Sequence, residues 1–371
     1  MNFKVDYNQA PLLVIWEVTR ACALACQHCR ASAIDWRHPD ELATAEGCAL
    51  IDDIAEMGTP LVVFTGGDPL QRDDLGDLIR HAKKVGLRVG TIPASTPRLT
   101  RERLVELKKA GIGQIALSLD GADAEGHDGF RCVPGSYDKV MEGARWARDE
   151  AIPLQINTVF ADWNFDQFDA IADLVDSLGV VFWEVFFLVP TGRGATLDGC
   201  LSEQYEQLFA KLYARSLKVS FIIKVTEGPH YRRYVAQQQK AARQAHPGVE
   251  VPAPVTTRRA GMGISRTYPG VNAGKGFCFV DHVGEVYPSG FLPLEAGSVR
   301  DRSIIDIYRN HPLFLSLRDP DLLGGKCGVC SYRNICGGSR ARAYAVTGDH
   351  LAEEPCCAYE PEFDKAFSAV S

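Results

Sequence analysis

At 371 residues, 46% hydrophobic and 23% charged, the chain has the composition of a globular protein long enough for one large domain and a smaller one. A net charge of −7 argues against a generally nucleic-acid-binding surface. No apolar run reaches the ~18 residues of a membrane span, and the N-terminus lacks the ordered charged, apolar and small-residue segments of a signal peptide, so neither membrane nor export is expected.

In chain order, short apolar runs of strand length occupy 11–18, 61–65, 87–92, 114–120, 154–160 and 181–187. Helical patterns fill 44–57, 73–85, 100–110, 136–150 and 164–178, and a further one at 202–216 follows the sixth run. Thr44, Asp73, Thr100 and Ser136 stand where N-caps belong, and Gly58, Gly86, Gly111 and Gly179 where helices should end. Strand–helix units repeated six times predict an α/β fold with a parallel sheet. Six units are too few for a closed eight-stranded barrel, whereas a partial barrel or a doubly wound sheet fits. The polar and glycine-rich segments "TRACALACQHC", "TGGDPL", "PASTP", "SLDGADAEGHDGFR" and "VPTGRG" all follow strands, so one mouth should gather them.

The repeat stops near residue 225. Residues 228–275 carry Arg232, Arg233, Lys240, Arg243, Arg258, Arg259, Arg266 and Lys275 against the single acid Glu250. This is either a solvated insertion or a surface that meets an anionic ligand. Beyond it, "GFCFVDHVGEVYPSGF" reads as a hairpin turning at Gly284.

The chain has twelve cysteines. A secreted disulfide scaffold would be short and core-poor, so a reducing cytoplasm is expected, with the clustered cysteines as metal ligands. Cys48, Cys132 and Cys200 stand apart and read as ordinary buried or surface thiols. Cys22, Cys26 and Cys29 crowd one loop. A closed zinc site usually takes four ligands, and His28 is awkwardly placed to be the fourth because it sits between cysteines that already ligate. A [4Fe–4S] cluster normally takes four cysteines, so three leave one iron open to an exogenous ligand.

The spacing Cys22-x3-Cys26-x2-Cys29 after a first strand resembles the signature loop of the radical S-adenosylmethionine (SAM) enzymes. The resemblance implies that the open iron chelates the methionine amine and carboxylate of SAM. An electron from the cluster then cleaves the sulfonium, and a 5′-deoxyadenosyl radical takes hydrogen from a substrate. His28 fits the aromatic position before the third cysteine. Gly66-Gly67-Asp68 resembles the family's Gly-Gly-acid motif for the methionine amine. By the same resemblance, Ser95 falls to the SAM carboxylate region, Ser118 and Asp120 to carboxylate or ribose contacts, Asn157 to a strand-five contact, and Phe187, Leu188 and Val189 to the backbone segment that holds adenine. The implied fold is a partial (β/α)6 radical SAM barrel.

The C-terminal "KCGVCSYRNICGGSRARAYAVTGDHLAEEPCCAY" resembles the SPASM extension of that superfamily, which carries auxiliary iron–sulfur clusters. It departs from the full pattern at Ser289 and Arg340, where cysteines are expected. The resemblance leaves four ligands for one auxiliary [4Fe–4S] cluster: Cys327, Cys330, Cys336 and either Cys356 or Cys357, of which Cys357 is preferred by its distance from Cys336. Cys278 lacks partners for another cluster. A zinc site on the same four cysteines is the alternative. The implied organisation is a barrel over 1–225, a basic bridge over 226–275 and a SPASM-like domain over 276–371.

Nearly the whole chain resembles the branch of alternative haem and haem-d synthesis, whose members act on tetrapyrrole carboxylate side chains. The implied partners are a carboxylated tetrapyrrole and a flavodoxin- or ferredoxin-type electron donor. Arg232, Arg340 and Arg342 become candidates for substrate carboxylates, and His230 and Tyr231 for other substrate contacts. The same architecture also serves enzymes that modify ribosomally made peptides. A non-catalytic zinc or electron-transfer protein is the reading from a different class.

Overall fold

The computed structural model describes residues 5–247 and 270–361. All six expected strands form: β1 (Leu13–Glu17), β2 (Leu61–Thr65), β3 (Arg88–Thr91), β4 (Gln114–Ser118), β5 (Leu154–Phe160) and β6 (Phe182–Phe187). Three further strands join them: β7 (Ile222–Thr226), β8 (Phe277–Val280) and β9 (Val286–Tyr287). The spatial order is β7-β6-β5-β4-β3-β2-β1-β8-β9. The first seven strands are parallel and lie in sequence order with no reversal. A doubly wound sheet requires a reversal point, so the arrangement is a partial barrel. β8 runs parallel to β1, with Val14 opposite Cys278, and β9 folds back antiparallel through a turn at Gly284, whose φ is 98°.

Alternation along the strands sets the two faces. β2 and β7 read half-buried/buried in strict alternation, and so does β6 over six residues. Trp16, Phe64, Leu117, Ile156, Trp183 and Val185 point outward, are at most 2% exposed and pack under the helices. Burying each such side chain contributes roughly 1.5–3 kcal/mol. The inner face is wetter. There Gln155 Nε2 donates to Glu184 at 2.9 Å, and Lys224 Nζ and Thr226 Oγ1 donate to the same carboxylate at 2.6 Å each.

Local signals were kept in part. Thr100 caps its helix, its Oγ1 accepting the Arg103 N–H at 3.2 Å. Thr44 and Ser136 lie just inside their helices and donate to Asp74 at 2.6 Å and Asp128 at 2.8 Å. The cap position of the second helix falls on Asp74, not Asp73. Helices Ala124–Arg131 and Tyr231–Ala245 appear where loops were expected. Arg258, Arg259, Arg266 and Glu250 of the basic stretch lie outside the described residues. Among the described residues no helix is long and apolar enough to cross a membrane.

Candidate functional site

Because the strands are parallel, the loops at their C-terminal ends share one mouth. The loop after β1 carries Cys22, Cys26 and Cys29. It is pinned by the Cys22 N–H to Ile34 O at 2.8 Å and by a bridge between Ala21 and Ile34. Leu24 N–H donates to Cys22 Sγ at 3.3 Å, and Arg131 Nη1 to Cys26 Sγ at 3.5 Å. Burial pushes the Cys22 thiol up to about 12.

Glycines let neighbouring loops press on this one. A Cβ on Gly67 would stand 2.5 Å from Ala21 O and 2.6 Å from Arg20 O, closer than side chains tolerate. A Cβ on Gly66 would meet Thr19 O at 2.6 Å. The pair thus packs against the backbone leading into the cysteines, with Gly67 N–H to Thr19 O at 2.8 Å and Asp68 N–H to Ala21 O at 2.7 Å. From the far side, Gly192 adopts φ 56° and would bring a Cβ to 2.6 Å from Cys29 O, while Arg193 N–H donates to that carbonyl at 3.0 Å.

Asp68 is fully buried. It accepts from Leu70 N–H at 3.1 Å, Ala94 N–H at 3.3 Å and Thr96 Oγ1 at 2.7 Å. The carboxylate therefore ties the loop after β2 to the loop after β3. Burial raises its pKa despite these donors. Ser95 lies half-buried between two of its anchors, Ala94 and Thr96. Thr96 itself was not singled out from the sequence, where nothing separates it from its serine neighbour.

His28 is half-buried and stacks on Phe130 at 4.5 Å with rings 2° from parallel, and Phe130 stacks on Trp163 at 4.5 Å. Burial pushes His28 down to about 3, so the ring is neutral. Its Nδ1 finds no partner among the described residues. Ser118, the last residue of β4, and Asn157, in the middle of β5, are cross-strand neighbours. Asn157 Oδ1 accepts from Gln155 at 2.7 Å. Asp120 is occupied by protein groups: Arg131 Nε donates to Oδ2 at 2.8 Å and Val159 N–H to Oδ1 at 2.8 Å. Burial raises the Asp120 pKa, but Arg131 together with neighbouring groups and the Val159 N–H outweighs it, leaving the carboxylate below its ordinary range. Arg131 escaped the sequence reading because its helix was taken for loop.

Phe187, Leu188 and Val189 are buried. Phe187 stacks on Tyr205 at 4.3 Å, and Leu188 N–H donates to Phe160 O at 3.1 Å. Val189 joins Ala273, Leu292, Leu317 and Ala341 in a second small core.

A second cavity lies in the C-terminal part of the chain. Cys327, Cys330, Cys336 and Cys357 line it together with His230 and Glu354. Cys356 is not in its lining; its thiol meets the Tyr205 hydroxyl instead. All four sulfurs accept backbone N–H groups: Cys327 from Glu354 at 3.3 Å, Cys330 from Tyr332 and Cys336 from Gly338 at 3.4 Å each, and Cys357 from Tyr359. Among the described residues no three His, Cys, Asp or Glu side chains converge on a single-ion point, and the four sulfurs surround a cavity.

The arginines named from the sequence brace this region. Arg340, 2% exposed, donates to Ala352 O at 2.6 Å and His350 O at 2.9 Å. Arg342, equally buried, pairs with Glu354 at 3.1 Å and donates to Glu227 O at 2.6 Å and Leu188 O at 3.2 Å. Arg232 donates to Val271 O at 2.6 Å and Ile335 O at 3.2 Å. These donors are directed at the chain's own carbonyls, a geometry that favours bracing over carboxylate recognition. His230 and Tyr231 pack in an aromatic cluster with Phe209. Cys278 is fully buried in β8 within the main core.

Both cysteine groups fit iron–sulfur clusters: thiol donors that take N–H hydrogen bonds, on loops whose glycines or arginines fix the backbone. The description "Radical SAM superfamily" matches residues 16–175. The AdoMet-dependent heme synthase of Oleidesulfovibrio alaskensis is 41% identical over 96% of this chain and 89% of its own length. The protein of the same name from Methanosarcina barkeri is 40% identical over 96% of this chain and 99% of its own. The crystal structure of Streptococcus suis SuiB bound to S-adenosylmethionine has the same fold, with TM-score 0.70 over 95% of this chain and 78% of that one at 15% identity. The three-cysteine loop at the barrel mouth and identity running nearly end to end converge on one conclusion: this chain belongs to the radical SAM superfamily.

Proposed function

We propose that the protein uses SAM-derived radical chemistry on a carboxylate side chain of a tetrapyrrole, in haem-type biosynthesis. The observation that carries this reading is the 40–41% identity along 96% of the chain to two proteins named AdoMet-dependent heme synthase.

The first cluster, when bound, supplies the electron that cleaves SAM into methionine and the hydrogen-abstracting radical. Cys22, Cys26 and Cys29 would hold it. Gly66, Gly67 and Gly192 keep that loop's backbone in place by close contact. Asp68 locks two mouth loops to one another, so that Ser95 and the Gly-Gly turn present a fixed surface to the methionine end of SAM. The His28–Phe130–Trp163 stack seals one flank against water. Ser118 and Asn157 stand side by side where the ribose and carboxylate end would lie, and the 187–189 segment backs the adenine end.

Cys327, Cys330, Cys336 and Cys357 would hold an auxiliary [4Fe–4S] cluster that exchanges an electron with the substrate. A flavodoxin- or ferredoxin-type protein in a reducing compartment would supply electrons. Asp120, held by Arg131 beside Cys26, serves the loop's electrostatics more directly than the ribose.

Anaerobic turnover with iron-bound and metal-free carboxylated porphyrins, read by mass spectrometry, tests the proposal. Loss of carboxyl mass from a porphyrin with matching 5′-deoxyadenosine supports it. SuiB has also been solved bound to its precursor peptide SuiA. Modification of peptides in the same panel, with every porphyrin untouched, would overturn the tetrapyrrole reading.

A further inference from the structure

His230 is 1% exposed, yet neither of its ring nitrogens meets a hydrogen-bond partner among the described residues. A buried polar atom without a partner costs roughly 1–3 kcal/mol, so two on one ring need an explanation. The ring is held firmly. Tyr205 lies 5.0 Å away and tilted 35°, and Phe209 lies 4.8 Å away, nearly edge-on at 71°. The nearest acid, Glu354, is engaged elsewhere: it takes the Ser339 N–H at 2.6 Å, the Cys356 N–H at 3.1 Å and Arg342 at 3.1 Å. What remains on that side is the cavity lined by Cys327, Cys330, Cys336 and Cys357, whose lining includes His230 itself.

We propose that His230 donates a ring N–H to a sulfur of the cluster held by those four cysteines and so raises its reduction potential. The inference rests on the auxiliary cluster proposed above. A neutral imidazole carries one N–H, and sulfur is the acceptor the cavity offers. A hydrogen bond to sulfur favours the reduced state, in which the sulfurs carry more negative charge, and such bonds are one lever by which proteins set cluster potentials. The four thiolates already satisfy a [4Fe–4S] cluster, which makes His230 a positioning residue and not a ligand. The chain thus surrounds its auxiliary site with donors to sulfur from both backbone and side chain.

The test is a redox titration followed by electron paramagnetic resonance on the full-length chain carrying Cys22→Ala, Cys26→Ala and Cys29→Ala, so that only the auxiliary signal remains. His230→Phe keeps an aromatic ring beside Tyr205 and Phe209 but removes the donor; His230→Gln restores a donor. The expected result is about four irons in all three proteins, a potential displaced to more negative values in His230→Phe, and a return toward the starting value in His230→Gln. If His230→Phe fails to hold iron, the potential of His230→Gln decides alone, and agreement with the starting value supports the donor role. Equal potentials in the starting protein and His230→Phe would overturn the proposal, and so would loss of iron from both variants, which would make His230 a ligand. A starting protein that holds no iron would remove the auxiliary cluster itself, an outcome separate from any failure of His230.

Discussion

The two cysteine groups differ in count, in setting and in what braces them. The N-terminal group has three sulfurs on one short loop at the barrel mouth. The C-terminal group has four, three of them within residues 327–336 and the fourth at Cys357, around a cavity lined by protein. Around the first, the bracing is close backbone contact: Gly66, Gly67 and Gly192 each approach where no Cβ fits. Around the second it is guanidinium: Arg232, Arg340 and Arg342 donate to carbonyls of the loops that carry or flank the sulfurs. A site that must admit a ligand keeps its walls thin and its iron open. A site that only passes electrons can be filled with side chains. On this account the first group binds SAM and the second does not.

Removing the sulfurs should separate the two most sharply. Cys22→Ala, Cys26→Ala and Cys29→Ala together should abolish SAM cleavage and cut a reconstituted content of about eight irons to about four. Cys357→Ala should also lose about four irons, from the other site. Iron and sulfide analysis on each variant checks both, and an unchanged count in either would break the comparison.

Next in size is Arg342→Met. It leaves Glu354 buried without its partner, and breaking a buried pair in this way costs about 3–5 kcal/mol. Denaturant unfolding should show that loss, together with weaker iron retention at the C-terminal site. Wild-type stability would mean that the arginine is not the brace described.

Asp68→Ala removes an acceptor of three hydrogen bonds between the mouth loops. SAM should bind roughly ten- to a hundredfold more weakly, corresponding to ~1.5–3 kcal/mol, while the absorbance of the first cluster stays nearly intact. Equilibrium binding of SAM under anaerobic conditions measures this, and equal affinity would refute the bracing role.

Gly67→Ala should cost about 1–3 kcal/mol, because the added methyl must displace the Arg20–Ala21 backbone. The expected readout is slower SAM cleavage with the C-terminal site unaffected. The smallest effect belongs to Cys356→Ala: its sulfur is outside the cavity, so the iron count should stay at that of the parent.

The sequence carried the barrel because its evidence is local. Apolar runs bounded by Gly marked β1 to β6 within a residue or two. β7 was lost because Lys224 interrupts its pattern, and only the fold reveals that Glu184 of β6 neutralises that charge. Helix Ala124–Arg131 was read as loop because its two internal glycines and its polar residues hide any apolar stripe. The β8–β9 hairpin was legible, but its place beside β1 was not, since pairing across more than 250 residues leaves no periodic trace. At the site, Cys327, Cys330, Cys336 and Cys357, grouped from the sequence, line one cavity, and Cys356 lies outside that lining. Arg232, Arg340 and Arg342 donate to backbone carbonyls, a use that their residue type did not announce. A guanidinium suits a substrate carboxylate and a backbone carbonyl alike, and the sequence does not say which it will meet. Arg131 and Thr96, which hold Asp120 and Asp68, carry no motif at all.

One cysteine group should leave an iron open to SAM, and the other should not. Electron paramagnetic resonance of two reduced full-length variants tests it most directly: one lacking Cys22, Cys26 and Cys29, the other lacking Cys327, Cys330, Cys336 and Cys357. Adding SAM should change the spectrum of the variant that keeps the N-terminal group and leave the other unchanged. A SAM-induced change in the variant that keeps only the C-terminal group, or no change in either, would contradict the account.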